Sequence, residues 1–181
     1  MFATDILKNE HKLVLAVLEG AEQEAKRIRN GDPVNYELIE QVVDFSRHFT
    51  DGCHHSKEEK ILFPKMCEFG FSKDGGPIAV MLMEHVEGRR LVGLILSNLN
   101  SLRSREEKDQ SKLANSIVDY VYLLRGHIEK ENNILFKMAE GILTNEVNEE
   151  VIAAFNKVES EEVGEGVHEM YHKFAHQFEN K

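Results

Sequence analysis

Apolar residues recur at three- and four-residue intervals along four long stretches of the chain, a spacing that predicts four amphipathic helices. The first is expected to start at Thr4 as N-cap, with Asp5 behind it, and to end in the turn Asn30-Gly31-Asp32-Pro33. Its inward stripe is Leu7, His11, Val14 and Leu18. A second helix starts near Val34 and carries Leu38, Val42, Phe45 and Phe49. It then passes through His54-His55 toward Phe69-Gly70, with Pro64 as a kink or an early stop. Gly75-Gly76-Pro77 opens a third, whose seam is Ile78, Met81 or Leu82, His85, Val92, Ile95 and Leu99. The fourth has the most regular pattern: Leu113, Ile117, Tyr120, Leu124, His127, Glu131, Ile134 and Met138.

Beyond Gly141, apolar positions at Val147, Val151, Phe155, Val167, Tyr171 and Phe174 predict one or two shorter helices capping the bundle. Short polar connections favour antiparallel neighbours, so the expected fold is all-α, an up-down-up-down four-helix bundle over residues 1–142. A helical extension over 143–181 packs on the same domain.

Composition agrees with a helical globular chain, being 41% hydrophobic with three prolines and no tryptophan in 181 residues. Asp plus Glu number 32 against 22 Lys plus Arg, and no basic cluster interrupts the excess, which argues against nucleic acid as a partner. No apolar run reaches the ~18 residues of a membrane span, and the start MFATDILKNEHKL has no secretory pattern, so a cytoplasmic location is expected. Cys53 and Cys67 fall on one helix, roughly 20 Å apart at about 1.5 Å per residue. They cannot bridge, and they read as small apolar side chains.

Two inward positions of the fourth helix are polar, and they belong to a repeat. His54-His55-Ser56-Lys57-Glu58-Glu59-Lys60-Ile61-Leu62-Phe63 and His127-Ile128-Glu129-Lys130-Glu131-Asn132-Asn133-Ile134-Leu135-Phe136 share His, Lys, Glu, Ile, Leu and Phe without a gap. Positions i and i+4 lie on one helical face, so each copy aims an imidazole and a carboxylate at one point. Either His54 with Glu58 or His55 with Glu59 has this spacing; alignment of the two copies selects His54 and Glu58. His55 then points about 100° away, at the rim of the site or toward a neighbouring helix.

His11 and His85 add an inward histidine on each remaining helix. Four imidazoles and two carboxylates exceed one tetrahedral zinc and suit two octahedral first-row ions, with iron ahead of manganese or zinc. Unshared, such groups in a core would each cost about 1–3 kcal/mol.

His11, the run His54 to Pro64, His85, and the run His127 to Phe136 together resemble the hemerythrin-like family, also called the HHE cation-binding domain, over most of residues 4–140. The resemblance implies a bundle with an oxo- or hydroxo-bridged di-iron centre that binds dioxygen, nitric oxide or peroxide at an open iron position. It also shows a departure. Oxygen carriers of the family have a second histidine one turn after that of the third helix, where this chain has Arg89. His55 is one replacement; His168, one turn before His172 on a last helix, is another. Glu59 flanks the site. Phe49, Tyr120 and Tyr171 are candidates for a pocket beside the metal, and Tyr120, Tyr122 and Tyr171 are alternatives for a tyrosine near it.

Three functions follow: a binding protein that stores, delivers or senses such a molecule, a di-iron enzyme that decomposes peroxide or reduces nitric oxide, or a regulator whose folding follows iron occupancy.

Overall fold

A computed structural model describes residues 1–159 and 165–178, and of 165–168 the backbone alone. Six helices account for most of it, and among the described residues there is no strand. Helix α1 is Ala3–Arg29, α2 spans 36–68, α3 is Gly76–Arg103, α4 spans 111–140, α5 is Asn145–Val158 and α6 is Glu165–His176. Helices α1 and α3 each pack against both α2 and α4, which closes a four-helix bundle of up-down-up-down order.

The helix ends follow local chemistry. Asn35 caps α2 by accepting from the Leu38 N–H, and Pro77 occupies the first turn of α3, where a missing N–H costs nothing. At the end of α2, Gly70 takes φ 96°, and the N–H of Phe71 reaches back to the Met66 carbonyl. The start of α1 differs from expectation. Thr4 is inside the helix, not at its cap; Phe2 is the N-cap, and its N–H donates to Asp5. Thr4 is buried and donates to Glu140 at 2.7 Å, tying the start of α1 to the end of α4.

Helices α2 and α4 are not uniform. Ser46–His55, Glu58–Leu62 and Glu131–Leu135 are π-helical, so each N–H bonds five residues back and the turn widens. The last two segments lie at the same place in the two repeat copies. Pro64 follows the first, but Lys137 stands at that place in the second, so proline is not the cause. A wide turn holds an extra residue and rotates everything beyond it. This corrects the expected seam of α4: Ile134 is 51% and Met138 41% exposed, whereas Leu135 and Ala139 are buried.

The apolar core has two parts. One gathers residues from Leu13 to Ile28, Ile39 to Phe49, Leu91 to Leu102 and Leu113 to Ile128, with Tyr171, Phe174 and Ala175 of α6 laid against it. The other joins Ala3, Leu7, Leu62, Phe63, Ile78, Leu135 and Phe136, closed by Val151 and Phe155 of α5. Between them lies a layer of buried histidine and glutamate. No described helix is long and apolar enough to cross a membrane.

The shifted seam is testable by thermal unfolding of the metal-free chain. Leu135→Ala should cost about 2–5 kcal/mol and Ile134→Ala within about 0.5 kcal/mol of nothing; the opposite ranking would restore the uninterrupted 3.6-residue pattern.

Candidate metal centre

Each of the four bundle helices sends side chains into the polar layer. The atoms form two groups, His55, Glu58, His85 and His127 on one side and His11, His54, Glu58 and Glu131 on the other, with the ligand atoms of each within 4.8 Å of one another. Glu58 belongs to both. Its Oε1 lies 3.6 Å from His54 Nε2 and its Oε2 3.3 Å from His85 Nε2. Glu131 Oε2 is 3.2 Å from Nε2 of both His11 and His127, so it too stands between the groups.

Outer contacts set the direction of every ring. Nδ1 of His11 faces Asn132 Oδ1 at 2.9 Å, that of His54 faces Glu10 at 2.8 Å, and that of His55 faces Asp51 at 3.3 Å. His85 pairs with Glu59 at 2.7 Å and His127 with Glu84 at 3.0 Å. An acceptor on Nδ1 keeps the proton there and leaves Nε2 as a lone pair toward the centre, the arrangement that metal-binding histidines use.

Six of the inward atoms lack hydrogen-bond partners. His11 Nε2, His54 Nε2 and both oxygens of Glu58 and of Glu131 are buried without a hydrogen bond, their mutual distances notwithstanding. Leaving such groups unsatisfied costs about 1–3 kcal/mol each. Cations held among them would satisfy all at once. Five imidazole nitrogens with two carboxylates form a mixed N/O set suited to first-row ions such as iron, arranged as two groups that share Glu58. The residues present therefore fit the metal centre that the fold implies.

Electrostatics describe the same cavity before a cation enters. Burial, then repulsion from Glu131, holds the Glu58 carboxyl well above its usual range. Burial opposes charge on His127, but the nearby Glu131 carboxylate and the Glu84 carboxylate that accepts from its Nδ1 outweigh it and hold its pKa up at about 9. Burial and neighbouring His11 push His54 down to about 4.

The expected candidates fall into three sets. His11, His54, Glu58, His85, His127 and Glu131 converge, and His55 joins them: buried, it stacks on His85 at 3.8 Å between ring centroids. Arg89 sits outside. Its guanidinium donates to Asp51 at 2.7 Å and to Glu59 at 2.6 Å, bracing the two carboxylates that hold His55 and His85. Tyr120 is buried and lines a cavity of about 180 Å³ with Ser46, Thr50, Asp51, His55 and Arg89. Tyr171 and Phe49 pack away from the centre: the Tyr171 hydroxyl donates to Asp44, and Phe49 lies against Phe45 and His172. Tyr122 is 83% exposed. His172 is not among the converging residues, and the side chain of His168 lies outside those described.

Glu10, Glu84, Asp51 and Asn132 escaped the reading of the sequence. A signal for two of them was present: Glu10-His11 and Glu84-His85 form a second repeated element, on α1 and α3, at nearly the spacing of the first.

The family model of the hemerythrin HHE cation-binding domain matches residues 3–139, and the chain belongs to that family. Among curated proteins it is similar to the iron-sulfur cluster repair protein YtfE of Escherichia coli O157:H7, 39% identical over 88 residues, and to that of Cronobacter sakazakii, 35% identical over 88. The match covers 48% of this chain and 40% of each of those proteins. No solved structure matches.

Loading the centre should release protons. Near pH 7 the metal-free chain holds a charge-bearing proton on His127, and Glu58 keeps its proton well above the usual carboxylate range; each proton held must leave before the atoms can bind a cation. Apparent affinity should therefore rise with pH up to about 9 and fall in acid. Titration with ferrous iron in weak buffer, followed by a pH indicator, checks this; proton-neutral uptake would contradict it.

Proposed function

We propose that the chain is a non-haem di-iron protein that binds dioxygen, nitric oxide or peroxide for storage, sensing or detoxification. The observation that carries this reading is the pair of buried four-residue groups sharing Glu58, with six inward atoms lacking any partner. Iron bound there would supply the redox chemistry and the coordination position that a small molecule takes up. The chain supplies the rest: Nδ1 acceptors fix the rings, Glu58 and Glu131 span the two positions, and Phe63 and Phe136 stack on His85 and His11, shielding them from water.

The break in the repeat supports an open position on one side. His55 in the first copy corresponds to Ile128 in the second, so the His85–His127 group has a third imidazole and the His11–His54 group has none. Manganese or zinc in place of iron is the alternative occupancy that the same donors permit.

A second reading rests on the similarity to the repair proteins: the chain delivers iron to damaged iron-sulfur clusters, or clears the molecule that damages them. Reconstitution with ferrous iron without air, metal analysis and optical spectra after dioxygen, nitric oxide and peroxide separate these. About two iron per chain with a reversible new band supports binding; rapid peroxide loss, absent in His54→Ala and Glu131→Ala, supports an enzyme. Transfer of iron to an apo-ferredoxin without any spectral response to the small molecules would favour the repair reading. Less than one iron per chain would sink the di-iron assignment, and one zinc would replace it.

A further inference from the structure

The lysine of the repeated element has no place among the inward atoms, yet both copies retain it. Its contacts are the same in each. Glu10 Oε2 accepts a hydrogen bond from His54 Nδ1, and Lys57 Nζ donates to the other oxygen, Oε1. Glu84 Oε2 accepts a hydrogen bond from His127 Nδ1, and Lys130 Nζ donates to its Oε1. Histidine and lysine three apart lie side by side on a helix, so both reach one carboxylate on the neighbouring helix. That carboxylate comes each time from the residue just before the inward histidine of α1 or α3.

The copies differ in their surroundings. The Lys57 side chain is 0% exposed, Glu10 is 6% exposed, and Glu159 Oε2 also accepts from Lys57 at 3.2 Å. Lys130 is 40% exposed and Glu84 17%. A buried ion pair is costly to desolvate and is often no more stable than an apolar pair of the same size, so packing alone does not account for Lys57. An exposed pair is weakened by water and salt.

We infer that Lys57 and Lys130 are positioning residues of the metal centre, each fixing the carboxylate that aims the histidine three places before it, and that the sealed Lys57 clamp governs the His11–His54 position. The inference rests on the two-metal reading above. Removing either lysine frees its carboxylate to rotate and lets the imidazole drift. The effect is large where no water replaces the lysine and small where water does.

Release of ferrous iron from the loaded chain to ferrozine, without air, tests this. Changes to groups that orient metal ligands typically weaken binding 10–100-fold. Lys57→Met should speed release of one of the two iron equivalents about tenfold or more, and Lys130→Met should change release less than about threefold. Because Lys57→Met leaves Glu10 Oε1 buried without its cation, the double variant with Glu10→Gln guards against misfolding. If Lys57 acts through Glu10, adding Lys57→Met to Glu10→Gln should change release little beyond the single Glu10→Gln change. Thermal unfolding of the metal-free variants separates loss of fold from loss of aim. Wild-type release rates in Lys57→Met, or independent multiplication of the two effects, would overturn the inference. A wild-type chain holding less than one iron would instead overturn the two-metal reading beneath it.

Discussion

Seven ionisable side chains are buried in one layer across the bundle, and everything else in the structure accommodates that layer. Removing carboxylates and imidazoles from water is expensive unless each polar atom finds a partner. The outward atoms find theirs in Glu10, Asp51, Glu59, Glu84 and Asn132; the inward ones face each other across a space that cations can fill. Apolar clusters above and below hold the four helices close enough for the atoms to converge. The fold therefore supplies rigidity, and the layer supplies chemistry.

Wide π turns reconcile two demands on α2 and α4. An inward glutamate must follow an inward histidine by one turn, and the residues beyond must still bury an apolar face. The segments beginning at Glu58 and Glu131 allow both: the extra residue lies in the wide turn, and Leu62 with Phe63, and Leu135 with Phe136, return to the core. Ser46–His55 does the same one stretch earlier, and His54 and His55 are both buried as a result.

The internal repeat gives the centre a near-twofold plan, and its departures give it direction. His55, Asp51, Glu59 and Arg89 cluster on one side, where the corresponding places on the other are Ile128, Leu124, Asn132 and Leu15. One group is thus richer in imidazole and bounded by partly exposed charges; the other is poorer in imidazole and backed by the dry Glu10–Lys57 pair. A strict repeat would make the two groups of inward atoms alike; here they differ.

The helices, the family and six of the seven converging residues of the layer were readable in the sequence because they depend on local spacing: residues four apart on a helix share a face whatever surrounds them. On the same grounds the repeat selected the pair His54 and Glu58 over His55 and Glu59. What spacing could not supply was the phase beyond each glutamate, since a π turn arises from packing and leaves no mark in a 3.6-residue pattern. Hence Ile134 was expected inside, and Leu135 is. The inward place of His55, the bracing role of Arg89 and the carboxylates behind each ring depend on contacts between helices distant in sequence. Only the assembled bundle brings Glu10 to His54 and Lys57, or Arg89 to Asp51 and Glu59, because burial and charge pairing across helices decide those contacts.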